Sequence, residues 1–357
     1  MNLYNIIKQS AESNINLQKE DGSMPPGWNG PYRQKETSVR NTSHWLITFL
    51  KAYEITKDTK YKEAANKCAE YLLSDKARPM NATFFHRELK NKDKSNGLIG
   101  QAWTIEALIA ASEKLQISEC KNIAKEVFLL HPYDEKCNLW KRVDVDGKKL
   151  GFDYVFNHQL WFAACGSMID NKEVRENITQ FIDNIDTNLK INKDGLIHHF
   201  IFSKGQIKTR IFNLIIKLYL IKKGKRNVQL LEEGYQSFNL YAFALLKNNY
   251  IDHPFWKSNK FIQTLDHIKI ETYSNVLNNN KYGFPYNPVG FENAYAIYTF
   301  PDQYTDNTQL LSYWVTRQIN EYFDFEKKSL SKNTEDSVTL TARIYEATRL
   351  PDVQLNI

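Results

Sequence analysis

The feature that most constrains this chain is a set of six apolar segments that share one design. Each opens with a polar and aromatic cluster and continues in a helical apolar pattern, as in "NGLIGQAWTIEALIAA". They begin at about 40, 96, 153, 235, 291 and 336, and charged amphipathic segments such as "YKEAANKCAEYLL" lie between them. Because a helix that is apolar on all sides must be enclosed by others, we expect six inner helices, each followed by an outer one.

This alternation predicts an all-α protein, an (α/α)6 toroid in which residues 1–357 form a single domain. A linear helical solenoid is the competing arrangement, but it requires polar end caps and a clear repeat consensus, and neither is evident. The longest gap between inner helices contains "DGLIHHFIFSKGQIKTR", in which two β-prone runs flank a Ser-Lys-Gly turn. We therefore expect one short β-hairpin insertion near residues 191–210.

Composition excludes several classes of protein. The chain has 47 Lys and Arg against 41 Asp and Glu, and its one dense basic run, "KKGKR", is expected to be a solvated helix end and not a nucleic-acid site. The four cysteines and eight histidines have no metal-ligand spacing, so no metal and no cofactor are expected. No signal-peptide pattern and no membrane span are evident, which predicts a cytoplasmic protein. The sequence carries no signal for an oligomeric state.

The third inner segment, "FDYVFNHQLW", concentrates groups that could carry chemistry. Asp153 precedes Asn157 by four residues and His158 by five, so a helix would place all three near one face. Structural alternatives are a helix N-cap for Asp153 and hydrogen-bonded core positions for Asn157 and His158. We predict Asp153 and His158 as acid/base groups, with the pKa of Asp153 raised by the surrounding aromatics. Glu292, in the fifth segment, is predicted as a second catalytic carboxylate.

Substrate-binding groups are expected at the rim where the inner helices begin, because closed folds of this kind bind ligands there. Arg40 in a first helical turn opposes the helix dipole, and either a carboxylate ligand or a structural ion pair would explain it. His44 lies four residues on, on the same face. Adjacent His198 and His199 point to opposite faces of a strand, so at most one faces the site. The other predicted binding residues are aromatic, amide or charged side chains: Trp28, Trp45, His86, Arg87, Asn96, Gln101, Trp103, Asn157, Trp161, His199, Tyr235, Asn239 and Asp336.

Several of these segments together resemble AglQ-type proteins. The resemblance is carried by "RNTSHWLITFLKAYEIT", "NGLIGQAWTIEALIAA", "GFDYVFNHQLWFAA", "YQSFNLYAFALL" and "PVGFENAYAIYTF", and it extends from about Asp21 to Leu350. Members of that family are encoded in clusters for surface-glycan assembly and protein N-glycosylation. The resemblance therefore implies a protein of a glycan pathway.

Two more distant resemblances concern toroidal enzymes. The Asp153-x-x-x-Asn157 pattern and the Gly-Gln-Ala-Trp motif ending at Trp103 are similar to motifs of unsaturated glucuronyl hydrolases, although here the two motifs occur in the opposite order. The N-acylglucosamine 2-epimerase group uses two histidines as acid and base. That similarity implies such roles for His158 together with His44 or His199.

These observations predict a carbohydrate-active enzyme that acts on a uronate-containing or related sugar or glycan. Hydrolysis, epimerisation and a lyase reaction all remain open, because each uses a similar carboxylate or histidine acid/base group. A non-catalytic glycan-binding or glycan-assembly protein would need the same arginine and tryptophan residues. A helical scaffold for protein partners would instead expose apolar patches on its outer helices, whereas these segments are charged.

Overall fold

The structure is a computed structural model that describes residues 1–202, 214, 218, 221–269 and 271–356. Helices dominate it, and short 3-10 turns connect several of them. The α-helices are α1 (Leu3–Asn14), α2 (Val39–Thr56), α3 (Thr59–Leu73), α4 (Gly97–Leu115), α5 (Ser118–Leu130), α6 (Phe156–Gly166), α7 (Lys172–Asp183), α8 (Ile185–Asn188), α9 (Lys225–Lys247), α10 (Asn259–Asp266), α11 (Glu271–Val276), α12 (Val289–Thr299), α13 (Asn307–Tyr322) and α14 (Ser337–Ala342).

Six of these elements form a closed inner ring. They are α2, α4, α6, α9, α12 and α14, the last continued by a 3-10 helix over Arg343–Arg349. Each contacts the next, and the 3-10 helix returns to α2 and closes the ring. This closure confirms the predicted (α/α)6 toroid and excludes the linear solenoid. In α4 every residue from Gly97 to Ile109 is buried, as expected of a helix that others enclose.

The outer helices cover the ring with one apolar face each. They are α1, α3, α5, α7, α10 and α13. In α7 the buried side chains are Val174, Ile178, Phe181 and Ile182, at the spacing of a single helical stripe, while the charged residues face solvent. Burying each such side chain contributes about 1.5–3 kcal/mol, so the outer layer stabilises the ring that carries the inner helix ends.

A small antiparallel sheet lies between α5 and α6, where the sequence analysis predicted none. Its strands are β1 (Tyr133–Asp134), β2 (Leu139–Val143) and β3 (Lys149–Phe152), in the order β1-β2-β3. The turns contain Asn138 and Gly147, both with positive φ. The Asp-Gly pair before β3 is a hairpin signal that could have predicted this sheet.

The sheet also corrects the predicted start of the third inner helix. Asp153 was predicted to lie in the first helical turn, but α6 begins only at Phe156. The backbone at Asp153 instead continues the sheet, because its N–H donates to the carbonyl oxygen of Trp140 at 3.4 Å. Asp153 therefore ends an extended segment that leads into the helix.

The hairpin predicted near residues 191–210 is described only in its first part. An antiparallel bridge joins Ile191 to Ile197, and a second joins Phe200 to Val155, at the start of α6. The remaining predicted residues, from 203 onward, lie outside the described residues. No helix in the described parts of the chain is long and apolar enough to cross a membrane.

Three inner helices each carry a glutamine whose side chain bonds the backbone of another chain segment. These are Gln101 in α4, Gln159 in α6 and, within α9, Gln236. Gln236 accepts from the backbone N–H of Ile197 at 2.9 Å and donates to the carbonyl oxygen of Gly195 at 3.3 Å. The glutamine of the Gly-Gln-Ala-Trp motif thus belongs to a repeated structural pattern that fixes rim loops.

We predict that Gln236→Ala lowers the free energy of unfolding by about 1–3 kcal/mol, because it leaves buried backbone groups without partners. Chemical denaturation followed by far-UV circular dichroism measures this change. Gln309→Ala on the exposed face of α13 is the matched control and should change stability by less than about 0.5 kcal/mol. Equal stability of the two variants would contradict the loop-holding role.

Candidate active site

The starts of the inner helices and the loops before them surround a cavity of about 290 Å³. Seven of the residues predicted from sequence line it: Arg87, Asn96, Trp103, Asn157, His158, His199 and Tyr235. They come from several different inner helices and from the segment after α8. The ring geometry therefore gathers polar groups that are more than a hundred residues apart in the sequence.

His158 and Asp153 form a hydrogen-bonded pair at the cavity wall. His158 Nδ1 lies 2.9 Å from Asp153 Oδ2. The imidazole is about one-quarter exposed, whereas Asp153 is only 5% exposed. Because the carboxylate occupies Nδ1, Nε2 is the ring nitrogen left for a ligand in the cavity. This arrangement, a histidine oriented by a buried carboxylate, is common among general acid/base groups.

Asp153 also closes the beginning of α4. Its Oδ2 accepts the backbone N–H of Leu98 at 3.1 Å, and its Oδ1 accepts that of Val155 at 3.3 Å. The residue before Leu98 is Gly97, with φ of 60°, where a Cβ atom would lie 2.5 Å from Asp153 Oδ2. Glycine at 97 therefore permits the close approach of the carboxylate to the positive end of the helix.

The electrostatics of Asp153 differ from the prediction. Burial disfavours its charged form, but His158, the Arg142 guanidinium and the Leu98 N–H outweigh burial and lower the pKa of Asp153 to about 2. The predicted rise in its pKa was therefore wrong, because the neighbours of the carboxyl are cationic and hydrogen-bonding as well as aromatic. Asp153 is a stable carboxylate at neutral pH and suits the role of a partner that positions His158.

This shift predicts a specific acid sensitivity. Because the pKa of Asp153 is about 2 in the folded protein and near 3.8 when unperturbed, the ionised carboxylate stabilises the fold above about pH 4. That stabilisation is lost as the pH falls from about 4 toward 2. Between about pH 6 and about pH 3, the difference in unfolding free energy between the parent protein and Asp153→Asn should narrow by about 1 kcal/mol.

Urea denaturation at each pH measures this difference. The matched control is Asp146→Asn, which removes an exposed carboxylate on the turn between β2 and β3. For this control the gap to the parent protein should stay nearly constant. A constant gap for Asp153→Asn as well would show that its carboxylate is not held in the charged form by its neighbours.

His199 faces the same cavity as His158. The bridge between Val155 and Phe200, and the hydrogen bond from Phe156 N–H to the His199 carbonyl oxygen at 2.9 Å, place it beside the start of α6. Burial, then the charges of His158 and Lys223, lowers the pKa of His199 to about 3. The cavity thus holds a neutral histidine and a second histidine that is paired with a carboxylate.

Asn157 has an amide with no protein partner. Its side chain is 1% exposed and lines the cavity, yet neither Oδ1 nor Nδ2 has a hydrogen-bond partner among the described residues. A buried amide without partners costs about 1–3 kcal/mol for each unsatisfied group. Among the described residues, Asn157 is therefore an unpaired polar side chain at the edge of the cavity.

Glu292 does not line the cavity, contrary to its predicted catalytic position. It is fully buried, and its Oε1 accepts from Arg343 Nη2 at 2.8 Å. Arg343 also donates to Glu346 at 2.8 Å and to the Tyr286 carbonyl oxygen at 3.1 Å. Burial and the adjacent Glu346 raise the pKa of Glu292 well above its usual range. Glu292 therefore supports the cavity wall through Arg343, which does line it.

Arg40 and His44 lie against Trp103 and outside the cavity lining. Arg40 Nη1 pairs with Glu36 at 3.1 Å and with Asn29 Oδ1 at 3.0 Å, and its guanidinium carbon is 4.2 Å from the Trp103 ring centre. His44 packs edge-to-face on Trp103 at 5.5 Å. The structural ion pair, which was one of the two explanations for Arg40, is present, and the guanidinium backs the aromatic wall of the cavity.

The other predicted binding residues are placed elsewhere in the fold. Asp336 Oδ2 accepts the backbone N–H of Trp28 at 2.8 Å, and the Trp28 side chain is 58% exposed. The rest are held by protein contacts in the interior: Trp45, His86, Gln101, Trp161 and Asn239. Each of these residues contacts the protein interior, although His86 Nδ1 and Asn239 Oδ1 have no hydrogen-bond partner among the described residues.

Several residues of the cavity were missed by sequence reasoning. They are Asn29, Tyr32, Gln34, Lys92, Ile99, Val155, Phe200, Phe238, Tyr286, Asn287 and Arg343. Tyr286 and Asn287 directly precede α12, so they belong to the polar and aromatic opening of an inner segment, and that pattern could have identified them. Arg343 had no such signal, because it lies beyond the end of α14.

The carboxyl groups of the described residues all stay off the cavity wall, which is lined by histidine, amide, tyrosine and cationic side chains. A larger groove of about 860 Å³ lies on the other side of the Gly30–Tyr32 turn. Its carboxylates include Glu335, paired with Arg33 at 2.9 Å, and Asp336, held by backbone N–H groups. The described residues contain no group of three or more side chains placed to hold a metal ion. The smaller, histidine-containing cavity is therefore the better candidate for acid/base chemistry.

The fold and this cavity define a toroidal protein with two histidines, His158 and His199, in a cavity at the rim of its inner helices. The chain is 40% identical to archaeal glycosylation protein Q of Haloferax volcanii, over 99% of this chain and 98% of that protein. It therefore belongs to the archaeal glycosylation protein Q family, which confirms the resemblance found in the sequence. No family model matches the sequence.

Solved structures show the same fold at low sequence identity. Cellobiose 2-epimerase from Bacillus thermoamylovorans superposes with a TM-score of 0.66 at 12% identity, covering 96% of this chain and 98% of that one. An unsaturated glucuronyl hydrolase specific for heparin superposes with a TM-score of 0.57 at 11% identity, covering 96% of both chains. The toroid thus occurs in an epimerase and in a hydrolase, so the fold alone does not indicate which reaction a protein of this shape performs.

Proposed function

We propose that this chain is an enzyme of a glycan pathway that moves a proton at a sugar carbon, with His158 as its acid/base group. The observation that carries the proposal is the His158–Asp153 pair at 2.9 Å, facing a cavity that no described carboxyl group lines. The family relationship to a glycosylation protein supports a sugar or glycan substrate. The cellobiose 2-epimerase neighbour supports the reaction class.

In the proposed step, His158 Nε2 takes the proton from the carbon next to a carbonyl or carboxyl group. The electron pair of the broken C–H bond moves to that group and forms an enediol or enediolate. His199, which burial keeps neutral, donates a hydrogen bond to the charged oxygen, as neutral histidines do in other proton-transfer enzymes. Protonation of the same carbon on its opposite face, after the intermediate turns in the cavity, gives an epimer. Protonation of the former carbonyl carbon of a reducing sugar gives an isomer.

A uronate or a related acidic sugar suits the charges at the cavity. Arg87 and Lys92 contribute positive charge to its lining, and Asp93 binds the Arg87 guanidinium at 3.1 Å. The predicted carboxylate ligands Arg40 and His44 lie outside the lining, so we assign charge recognition to the lining cations. Trp103, backed by the Arg40 guanidinium, and Tyr235 offer faces for the sugar ring.

Hydrolysis is the less supported reaction. Most glycoside hydrolases place two carboxyl groups on either side of the bond to be cleaved, about 5–9.5 Å apart. The Asp153 carboxyl is 5% exposed and is occupied by His158 and two backbone N–H groups. A carboxylate with these bonds is poorly placed to protonate a leaving group.

The reaction class is tested in deuterated water with reducing hexoses, hexuronates, disaccharides and uronate-containing glycans, followed by NMR. Deuterium at the carbon next to the carbonyl or carboxyl, with a new epimer or isomer, is the expected result. New reducing ends without deuterium incorporation would overturn the proposal in favour of a hydrolase. Tight binding of a glycan without either change would favour a binding protein.

Side-chain roles are tested by His158→Gln and Asp153→Asn. Loss of the acid/base group should lower the exchange rate by about 10²–10⁴-fold. Asp153→Asn should lower kcat with little change in KM and alter the pH–rate profile, because the amide no longer supports the charged imidazole. The matched control is His198→Gln, whose Nε2 bonds Asn192 at 3.0 Å outside the cavity. Full activity of His158→Gln would refute the assignment.

A further inference from the structure

Three apolar side chains before α9 are exposed to solvent. Leu214, Leu218 and Ile221 have helical backbone and are 57%, 59% and 76% exposed. Their spacing of four and then three residues is the spacing that places side chains on one face of a helix. In the sequence, the eleven residues from 211 to 221 carry a single charge, that of Lys217. We call these three side chains the apolar stripe.

A run of basic residues follows the apolar stripe directly. It consists of Lys222, Lys223, Lys225 and Arg226, interrupted by Gly224. Lys222, Lys225 and Arg226 are exposed. The sequence alone suggested a solvated helix end for this run. The exposed stripe changes that interpretation, because exposed apolar side chains directly precede the exposed basic ones.

The basic run lies near residues that line the cavity. Lys223 Nζ is 5.7 Å from the ring centre of Tyr282. Tyr282 in turn packs on Tyr32 at 5.7 Å and on Tyr235 at 6.3 Å, and these two tyrosines line the cavity. A partner that contacts Lys223 would therefore lie close to two tyrosines of the cavity lining.

We propose that the apolar stripe and the basic run dock this protein onto the surface of an anionic lipid bilayer. Apolar side chains flanked by Lys and Arg are the pattern of helices that lie in the membrane interface, where the chains enter the acyl boundary and the cations contact lipid phosphates. Each basic residue near an anionic surface contributes an attraction of about 1 kcal/mol. This charge complementarity favours a lipid surface over a second copy of a chain whose net charge is +6.

Docking of this kind would bring the cavity to sugars carried by membrane lipids. That consequence rests on the proposed function, whereas the docking itself does not. The two can be separated, because His158→Gln, which removes the acid/base group, leaves the stripe and the basic run intact. Its vesicle binding should equal that of the parent protein.

The test is sedimentation of the full chain with vesicles of phosphatidylcholine, with and without phosphatidylglycerol. The parent protein should bind the anionic vesicles, and added salt should weaken the binding. Leu218→Glu with Ile221→Glu should abolish binding. Lys222→Gln with Lys225→Gln should weaken it about fivefold for each lysine, while the fold stays intact by circular dichroism.

Matched controls place the same changes elsewhere on the surface. Met80→Glu with Ile251→Glu replaces side chains that are 60% and 61% exposed, and Lys114→Gln with Lys172→Gln neutralises two exposed lysines. These variants should bind as the parent does. The proposal fails if the parent binds neither vesicle, or if the controls lose binding equally. It also fails if sedimentation shows a dimer that the Leu218 and Ile221 changes dissociate while vesicle binding is absent.

Discussion

The Asp153 carboxylate joins the start of α6 to the start of α4, which is 55 residues away in the sequence. It accepts the N–H of Leu98 at the start of α4, the N–H of Val155 before α6, and the imidazole of His158. Such a charge, 5% exposed, is tolerated because His158, the Arg142 guanidinium and the Leu98 N–H stabilise it. One carboxylate therefore helps to fix the position of the cavity wall. Strand β3 ends directly before it, so the small sheet positions Asp153.

A second buried network sets the opposite wall of the cavity. Arg343 joins Glu292 and Glu346 and also holds the loop before α12, through the Tyr286 carbonyl oxygen and the Asn287 side chain. Buried ion pairs seldom add much net stability, since desolvation offsets their attraction. Their contribution here is geometric, because they fix Tyr286 and Asn287 against the cavity. The inner ring is thus built around paired charges as well as apolar contacts.

The sequence predicted the ring well, because the signal for an enclosed helix is repeated six times and needs no long-range information. The polar and aromatic openings of these six segments also led to the prediction that the site lies at the rim. Sequence reasoning missed the sheet because β1 has two residues and β3 four, too few to show alternation. It also missed Arg343, because nothing in the sequence tells which arginine the closing of the ring will bring to the cavity.

The errors about individual side chains have a common cause. The sequence pattern gives the spacing of Asp153, Asn157 and His158. The pKa of Asp153, however, also depends on Arg142 and on the Leu98 N–H at the start of α4, and the sequence does not show that these groups lie close to it. Likewise Gln101 matches a motif of unsaturated glucuronyl hydrolases, yet it binds the backbone of Phe84 and Ser95. A short motif on an inner helix can therefore record loop geometry that toroids share, without recording chemistry.

The discrimination between reactions on this fold then rests on which titratable group reaches the cavity. Similar toroids occur in a 2-epimerase and in a glucuronyl hydrolase, so the architecture is neutral on this question. In this chain Asp153 lies in the extended segment after β3 and outside the cavity lining. His158, in the first turn of α6, bonds Asp153 and lines the cavity. Which of these two side chains lines the cavity thus depends on the extended segment that precedes α6.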